Sequence, residues 1–151
     1  MQTLISCVGD TDPIRNFHDG PLLHIARVLK PEKIILIHSE RSKKKHEYIS
    51  LALQSIPNYS PTIVEENTVL ANNEVFLFDR MYEVLSGIIK KYTQTEETLL
   101  LNLTSATPQI ISAMFSINRI NDLKVRAFQV TTPVRESNEG ILHDKQEELQ
   151  L

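Results

Sequence analysis

The sequence predicts an α/β fold, an open parallel sheet of five strands in the order 3-2-1-4-5 with helices on both faces. Three observations lead there. Leu4–Val8, Ile34–Ile37 and Leu99–Leu103 are short, continuous apolar runs, the pattern of strands buried on both faces of a parallel sheet. Stretches with helical periodicity separate the apolar runs, as right-handed crossovers require. Two of the runs end in polar loops closed by proline, "VGDTDP" and "NLTSATP".

Leu4–Val8 is the first strand. A helix follows in "GPLLHIARVLK", which carries the apolar residues Leu22, Leu23, Ala26, Val28 and Leu29, and Pro21 suits the first helical position. Ile34–Ile37 is the second strand, and Lys43 to Ile56 an amphipathic helix with Ile49, Ala52, Leu53 and Ile56 on one side. Thr62–Glu66, less purely apolar, reads as a flanking strand. Val75 to Tyr92 carries the strongest helical pattern, through Phe78, Met81, Leu85, Ile88, Ile89 and Tyr92. Leu99–Leu103 is the fourth strand, Ile110 to Ile120 the fourth helix and Val125–Val130 the fifth strand. Residues 1–135 form one domain in this reading, and 136–151 a polar extension or the start of a severed linker.

Composition narrows the function. A chain of 151 residues can bury a real core, and 41% hydrophobic with 23% charged residues is ordinary for a globular protein. The single cysteine, Cys7, allows neither an internal disulfide nor a cysteine-based zinc site, which suits a reducing cytoplasm. No apolar run approaches the ~20 residues of a membrane span. A net charge of −3 disfavours general nucleic-acid binding while leaving room for a small phosphorylated ligand at a local site.

In the order 3-2-1-4-5 the first and fourth strands are neighbours, and the chain leaves them in opposite directions. Ligands bind in the crevice at such a switch point, beyond the carboxyl ends of the strands. The two polar loops would meet there. Thr107 before Pro108 reads as an N-cap and first helical residue, so the fourth helix aims its free N–H groups and positive dipole end at the crevice. That is a phosphate site in the making. Ser105 and Thr107 add hydroxyls, and Gly9 permits close approach. Asp10, Thr11 and Asp12 would serve ribose hydroxyls or base amines, since carboxylates repel phosphate.

These residues also carry a resemblance. "VGDTDPIRNFHDGPLLHIAR", "IILIHSER", "FLFDRMYEVLSGIIKKY", "NLTSATPQIISAMF" and "VTTPVRESNEG" resemble the N-terminal CARF sensor domain of CRISPR-associated type III-A effector ribonucleases, streptococcal type, from residue 1 to about residue 146. The resemblance implies a Rossmann-like, dimeric domain that binds cyclic oligoadenylate, here cyclic hexa-adenylate, across the dimer interface and activates a C-terminal HEPN ribonuclease domain. It implies no cofactor. It places Gly9, Asp10, Thr11 and Asp12 on the first loop and Ser105, Ala106, Thr107, Pro108 and Gln109 at the phosphate-facing helix start, with Arg15, Asn16, Ser39 and Glu40 at the rim and base contacts. It also implies slow, metal-independent ring cleavage, in which a ribose 2′-hydroxyl attacks the adjacent phosphate and Thr107 orients it. The alternative is another Rossmann-like nucleotide-binding domain, disfavoured because the first strand lacks the full G-x-G-x-x-G fingerprint.

Two departures from the family pattern stand out. Ala106 occupies a position where the family has glycine, so a positive φ there would be strained and its methyl would obstruct a phosphate. The chain also ends where the connection to the HEPN domain is expected. Arg41 and His46 have the Arg-x4-6-His spacing of HEPN sites but fall inside the sensor domain, a coincidence of a short motif. The run Arg41, Lys43, Lys44, Lys45 reads as a solvated face, His24 and Arg27 as surface or interface, and Cys7 as inert core. His18, His38 and His143 show no ligand spacing, and no metal is expected.

Overall fold

The computed structural model describes residues 1–120 and 125–130. Its elements, in chain order, are β1 (Gln2–Cys7), the two-residue strands β2 (Ile14–Arg15) and β3 (His18–Asp19), α1 (Pro21–Leu29), β4 (Lys33–Ile37), a 3-10 turn (Ser42–Lys45), α2 (His46–Gln54), β5 (Thr62–Glu65), α3 (Phe78–Thr95), β6 (Thr98–Asn102), α4 (Pro108–Ile120) and β7 (Arg126–Phe128). The main sheet runs β5-β4-β1-β6-β7, the expected order with the small hairpin left out of the count. Every pairing within it is parallel. Central β1 aligns Leu4 with Ile34 of β4 on one side and with Leu100 of β6 on the other.

The unbroken apolar runs are explained by two cores rather than one. Ile5, Ile35, Ile37, Leu99 and Leu101 point to the side covered by α3 and α4, where they meet Leu85, Ile89, Met114 and Ile117. Their neighbours Leu4, Ile34, Leu36 and Leu100 point to the opposite side, against Leu22, Leu23, Ile49 and Leu53 of α1 and α2. A strand with both faces covered has no position for an outward polar residue.

The differences from the sequence reading lie at boundaries. α3 begins at Phe78 instead of Val75, because residues 71–77 are held in turns by Glu74 N–H to Ala71 O and Leu77 N–H to Glu74 O. α2 is preceded by the 3-10 turn, so its α-helical part starts at His46. The hairpin β2–β3 was not anticipated; it pairs Ile14 with Asp19 and turns through Asn16 (φ 53°) and Phe17 (φ 66°). Gly20, next to it, has to be glycine: a Cβ there would lie 2.2 Å from the Thr11 carbonyl oxygen. The expected extension over residues 136–151, the boundary at 135 and His143 lie outside the described residues. No helix among the described residues is long and apolar enough to cross a membrane.

Candidate ligand-binding cleft

β1 and β6 end side by side, and the loops that leave them meet. Gly9 packs so closely on the second loop that a Cβ would lie 2.6 Å from the Ala106 nitrogen. Around this junction opens a cleft of about 860 Å³, within the range of small-molecule sites. One wall is Gly9, Asp10 and Thr11; the opposite wall is Thr104, Ala106 and Thr107. The loop after β4 supplies a third side through Ser39, Glu40, Arg41 and Lys44. A fourth comes from Leu70, Asn72, Val75 and Phe76 in the segment before α3. Cys7 lies at the floor, where burial pushes its thiol up to about 12.

Asn102, the last residue of β6, joins the two loops from below. Its amide nitrogen donates to Ser6 Oγ (3.0 Å) and Ser105 Oγ (2.8 Å), and its carbonyl oxygen accepts from the Thr104 N–H (2.9 Å). Ser105 in turn bonds Asp12. Asp12 accepts from the Gly9 N–H and the Leu22 N–H, both at 3.0 Å. Burial pushes the Asp12 carboxyl upward, opposed by these hydrogen bonds and by Lys45. Lys45 Nζ reaches over the first loop and donates to the carbonyls of Asp12 (2.8 Å) and Gly9 (3.2 Å). Burial lowers the Lys45 ammonium, with Asp12 and Asp10 acting against the shift.

The expected site residues therefore separate into groups. Gly9, Asp10, Thr11, Ser39, Glu40, Ala106 and Thr107 line the cleft. Asp12 and Ser105 do not line it; they are 2% exposed and tie the loops together underneath. Arg15 and Asn16 lie on the hairpin, outside the cleft lining. Pro108 and Gln109 belong to the first turn of α4, behind Thr107. Thr107 is the N-cap: its hydroxyl accepts the Ile110 N–H (3.2 Å) and donates to the Val75 carbonyl (2.6 Å). Ala106 has φ 88°, a backbone region that favours glycine.

The basic run is more than a solvated face. Arg41 bonds Asp10 at 3.2 Å across the cleft mouth, Lys44 lines the wall and Lys45 anchors the first loop. Two lining residues were missed: Asn72, which lies between the predicted elements, and Phe76, 64% exposed, which the helical pattern from Val75 absorbs into the third helix. A second cluster was missed as well. His38, fully buried just beyond β4, has its Nε2 2.9 Å from Nδ1 of His46, and His46 Nε2 is 3.7 Å from Glu65. Burial first, and then the neighbouring His46, lower the His38 imidazole to about 4. The Arg41–His46 spacing singled out by its sequence pattern thus divides between these two places, Arg41 at the cleft and His46 in the histidine cluster.

The Cas_Csm6 CARF domain model matches residues 62–151, more than half of the chain. The chain belongs to the Cas_Csm6 CARF domain family. A CRISPR system endoribonuclease Csm6′ of Streptococcus thermophilus is 52% identical over 150 residues, which are 99% of this chain and 39% of that relative. This CARF chain thus spans about two fifths of the length of that relative. Among solved structures, Enterococcus italicus Csm6 bound to cyclic hexa-2′-fluoro-hexa-dAMP superposes with TM-score 0.74 and 24% identity, covering 99% of this chain and 39% of that one. Can2 from Sulfobacillus thermosulfidooxidans in complex with cyclic tetra-adenylate gives TM-score 0.62 and 18% identity, covering 86% of this chain and 32% of that one. Both share the fold of this CARF domain.

Proposed function

We propose that this domain senses a cyclic oligoadenylate, cyclic hexa-adenylate in the first instance, held in the cleft between the loops that follow β1 and β6. One observation carries the reading. The two loops converge on an 860 Å³ cleft whose rim carries Arg41 and Lys44, with the N-terminus of α4 at its wall. A helix start and cations together favour phosphate. Two structures with this fold were determined with cyclic oligonucleotides of adenine, which supports the ligand class.

A ring of six nucleotides outgrows a single cleft of this size, and a six-fold or four-fold ring has a two-fold axis. A C2 homodimer offers two copies of one half-site to such a ligand, so the domain works as a dimer with its clefts facing that axis. Enclosure is also needed energetically. A helix N-terminus contributes about 0.3–1 kcal/mol per anionic group, whereas nanomolar affinity requires about −12 kcal/mol. Stacking of adenine on Phe76 and hydrogen bonds to Asp10, Thr11 and Asn72 supply the remainder in this reading. In the longer family protein, occupancy is relayed to a HEPN ribonuclease domain.

Slow ring cleavage belongs to the same proposal. The cleft holds a 2′-hydroxyl in line with the adjacent phosphate; its oxygen bonds to phosphorus as the P–O5′ bond breaks, leaving a 2′,3′-cyclic phosphate. Its proton reaches the departing 5′-oxygen by way of solvent, and the α4 start stabilises charge on the phosphoryl oxygens. The Thr107 hydroxyl donates to Val75 and accepts from Ile110, so it does not donate to the phosphate; it orients the loop and, through it, the helix N–H groups that face the phosphate. The decisive experiment titrates the chain with labelled cyclic hexa-adenylate, cyclic tetra-adenylate and a uridylate ring, separating bound from cleaved material. Tight binding of an adenylate ring with weak binding of the uridylate ring is expected; equal affinities would overturn the reading. Analytical ultracentrifugation that finds only monomer with ligand present would overturn the dimer.

A further inference from the structure

We infer that His38, His46 and Glu65 form a binding site for a divalent first-row transition metal, zinc in the first instance, which fastens the loop after β4 to the end of β5. One ligand atom from each residue can be chosen so that all three lie within 4.8 Å of one another. The three come from separate places: His38 just beyond β4, His46 at the first residue of α2, and Glu65 at the last residue of β5. The parallel pairing of Leu36 with Glu65 brings these ends together.

The hydrogen bonds around His38 favour a metal-ready tautomer. Its Nδ1 lies 3.0 Å from Ser42 Oγ, which already accepts from the Ser39 N–H at 3.0 Å and can direct its own proton to the Ser39 carbonyl at 3.5 Å. With Nδ1 carrying the proton toward Ser42, Nε2 presents a bare lone pair to His46. A hydrogen-bonded outer nitrogen of this kind is the usual support of a metal-ligating histidine. The two ring nitrogens are 2.9 Å apart. Tetrahedral zinc with bonds of about 2.0–2.1 Å needs about 3.3 Å between ligands, so the ion replaces the His38–His46 hydrogen bond, and the His46 ring turns until one of its nitrogens faces the ion together with His38 Nε2 and Glu65. Two imidazoles and a carboxylate suit zinc, cobalt or nickel better than magnesium or calcium, and three protein ligands leave a position for water. Lys43 and Lys45 are the nearby cations; Lys45 is turned away to the Gly9 and Asp12 carbonyls.

The loop between the two histidines carries Ser39, Glu40, Arg41 and Lys44 into the cleft. A metal bound below it holds that wall in place without touching the ligand.

Cobalt(II) tests this directly, since a tetrahedral site with nitrogen ligands gives intense visible absorption. Titration of the intact chain should show saturable binding of one cobalt per chain, displacement by zinc, and a rise in melting temperature with either metal. His46→Ala and Glu65→Gln, both at partly exposed positions, should each weaken cobalt binding at least tenfold and abolish the melting shift while the apo proteins stay folded. Absence of saturable binding to the wild type overturns the proposal. So does binding of equal affinity in the two variants, which would assign the metal to other histidines.

Discussion

Replacing Asp12 with asparagine removes the acceptor on which the whole floor of the cleft converges. Every group that faces this carboxylate is a donor: the Gly9 and Leu22 N–H groups, the Ser105 hydroxyl and, beyond them, the Lys45 ammonium. Asparagine keeps one acceptor oxygen and turns an NH2 toward the other donors, so at least one buried N–H loses its partner. That costs about 1–3 kcal/mol, and removing a charge that burial disfavours adds nothing to it. For a chain of this size each kcal/mol moves the melting temperature by about 2–4 °C, so Asp12→Asn should melt roughly 2–12 °C below the wild type. Calorimetry or circular dichroism reads this without any ligand. Unchanged melting together with lost ligand binding would refute the reasoning, because it would make Asp12 a ligand contact instead of an internal brace.

Thr107→Ala removes the cap of α4 and the bond to Val75; it should cost about 1 kcal/mol of stability and also slow ring turnover, while Thr107→Ser restores both. A stability loss with turnover unchanged would leave Thr107 a cap alone. Ala106→Gly relieves about 1–2 kcal/mol of backbone strain at φ 88° and gives back about 0.4–1 kcal/mol through the freer unfolded chain. Its stability should therefore equal or exceed that of wild type, by up to about 1.6 kcal/mol, while affinity for the adenylate ring rises, as calorimetric titration will show. Glu66 is buried, which by itself raises its carboxyl, yet hydrogen bonds from Lys91, the Thr68 N–H and Tyr92 outweigh burial and bring it to about 2. Its folded value is below the unfolded one of 4.5, so its contribution is present above pH ~4.5 and lost as pH falls toward ~2. Glu66→Gln should cost about 3 kcal/mol at neutral pH, a gap that closes in melts taken on acidification.

The order of strands and the position of the cleft were legible in the sequence because both follow from short-range patterns. Leu4–Val8 and Leu99–Leu103 read as doubly buried strands, and the usual 3-2-1-4-5 order of an alternating α/β chain makes them neighbours, as they are. Gly9 and the Thr107-Pro108 cap marked where their loops turn into the crevice, and the positive φ at Ala106 matches what a glycine position demands. The direction of individual side chains was not legible. Asp10 and Asp12 are two residues apart in one loop and look alike in sequence, but one lies exposed at the cleft mouth and the other is enclosed by donors from α1 and the second loop. Lys45 looks like the other cations of its run until the fold lays it over the Gly9 and Asp12 carbonyls. His38 and Glu65 are separated along the chain and share no spacing that marks a ligand pair. Only the pairing of β4 with β5 brings them to one point, because a parallel sheet places the ends of its strands together whatever the length of chain between them.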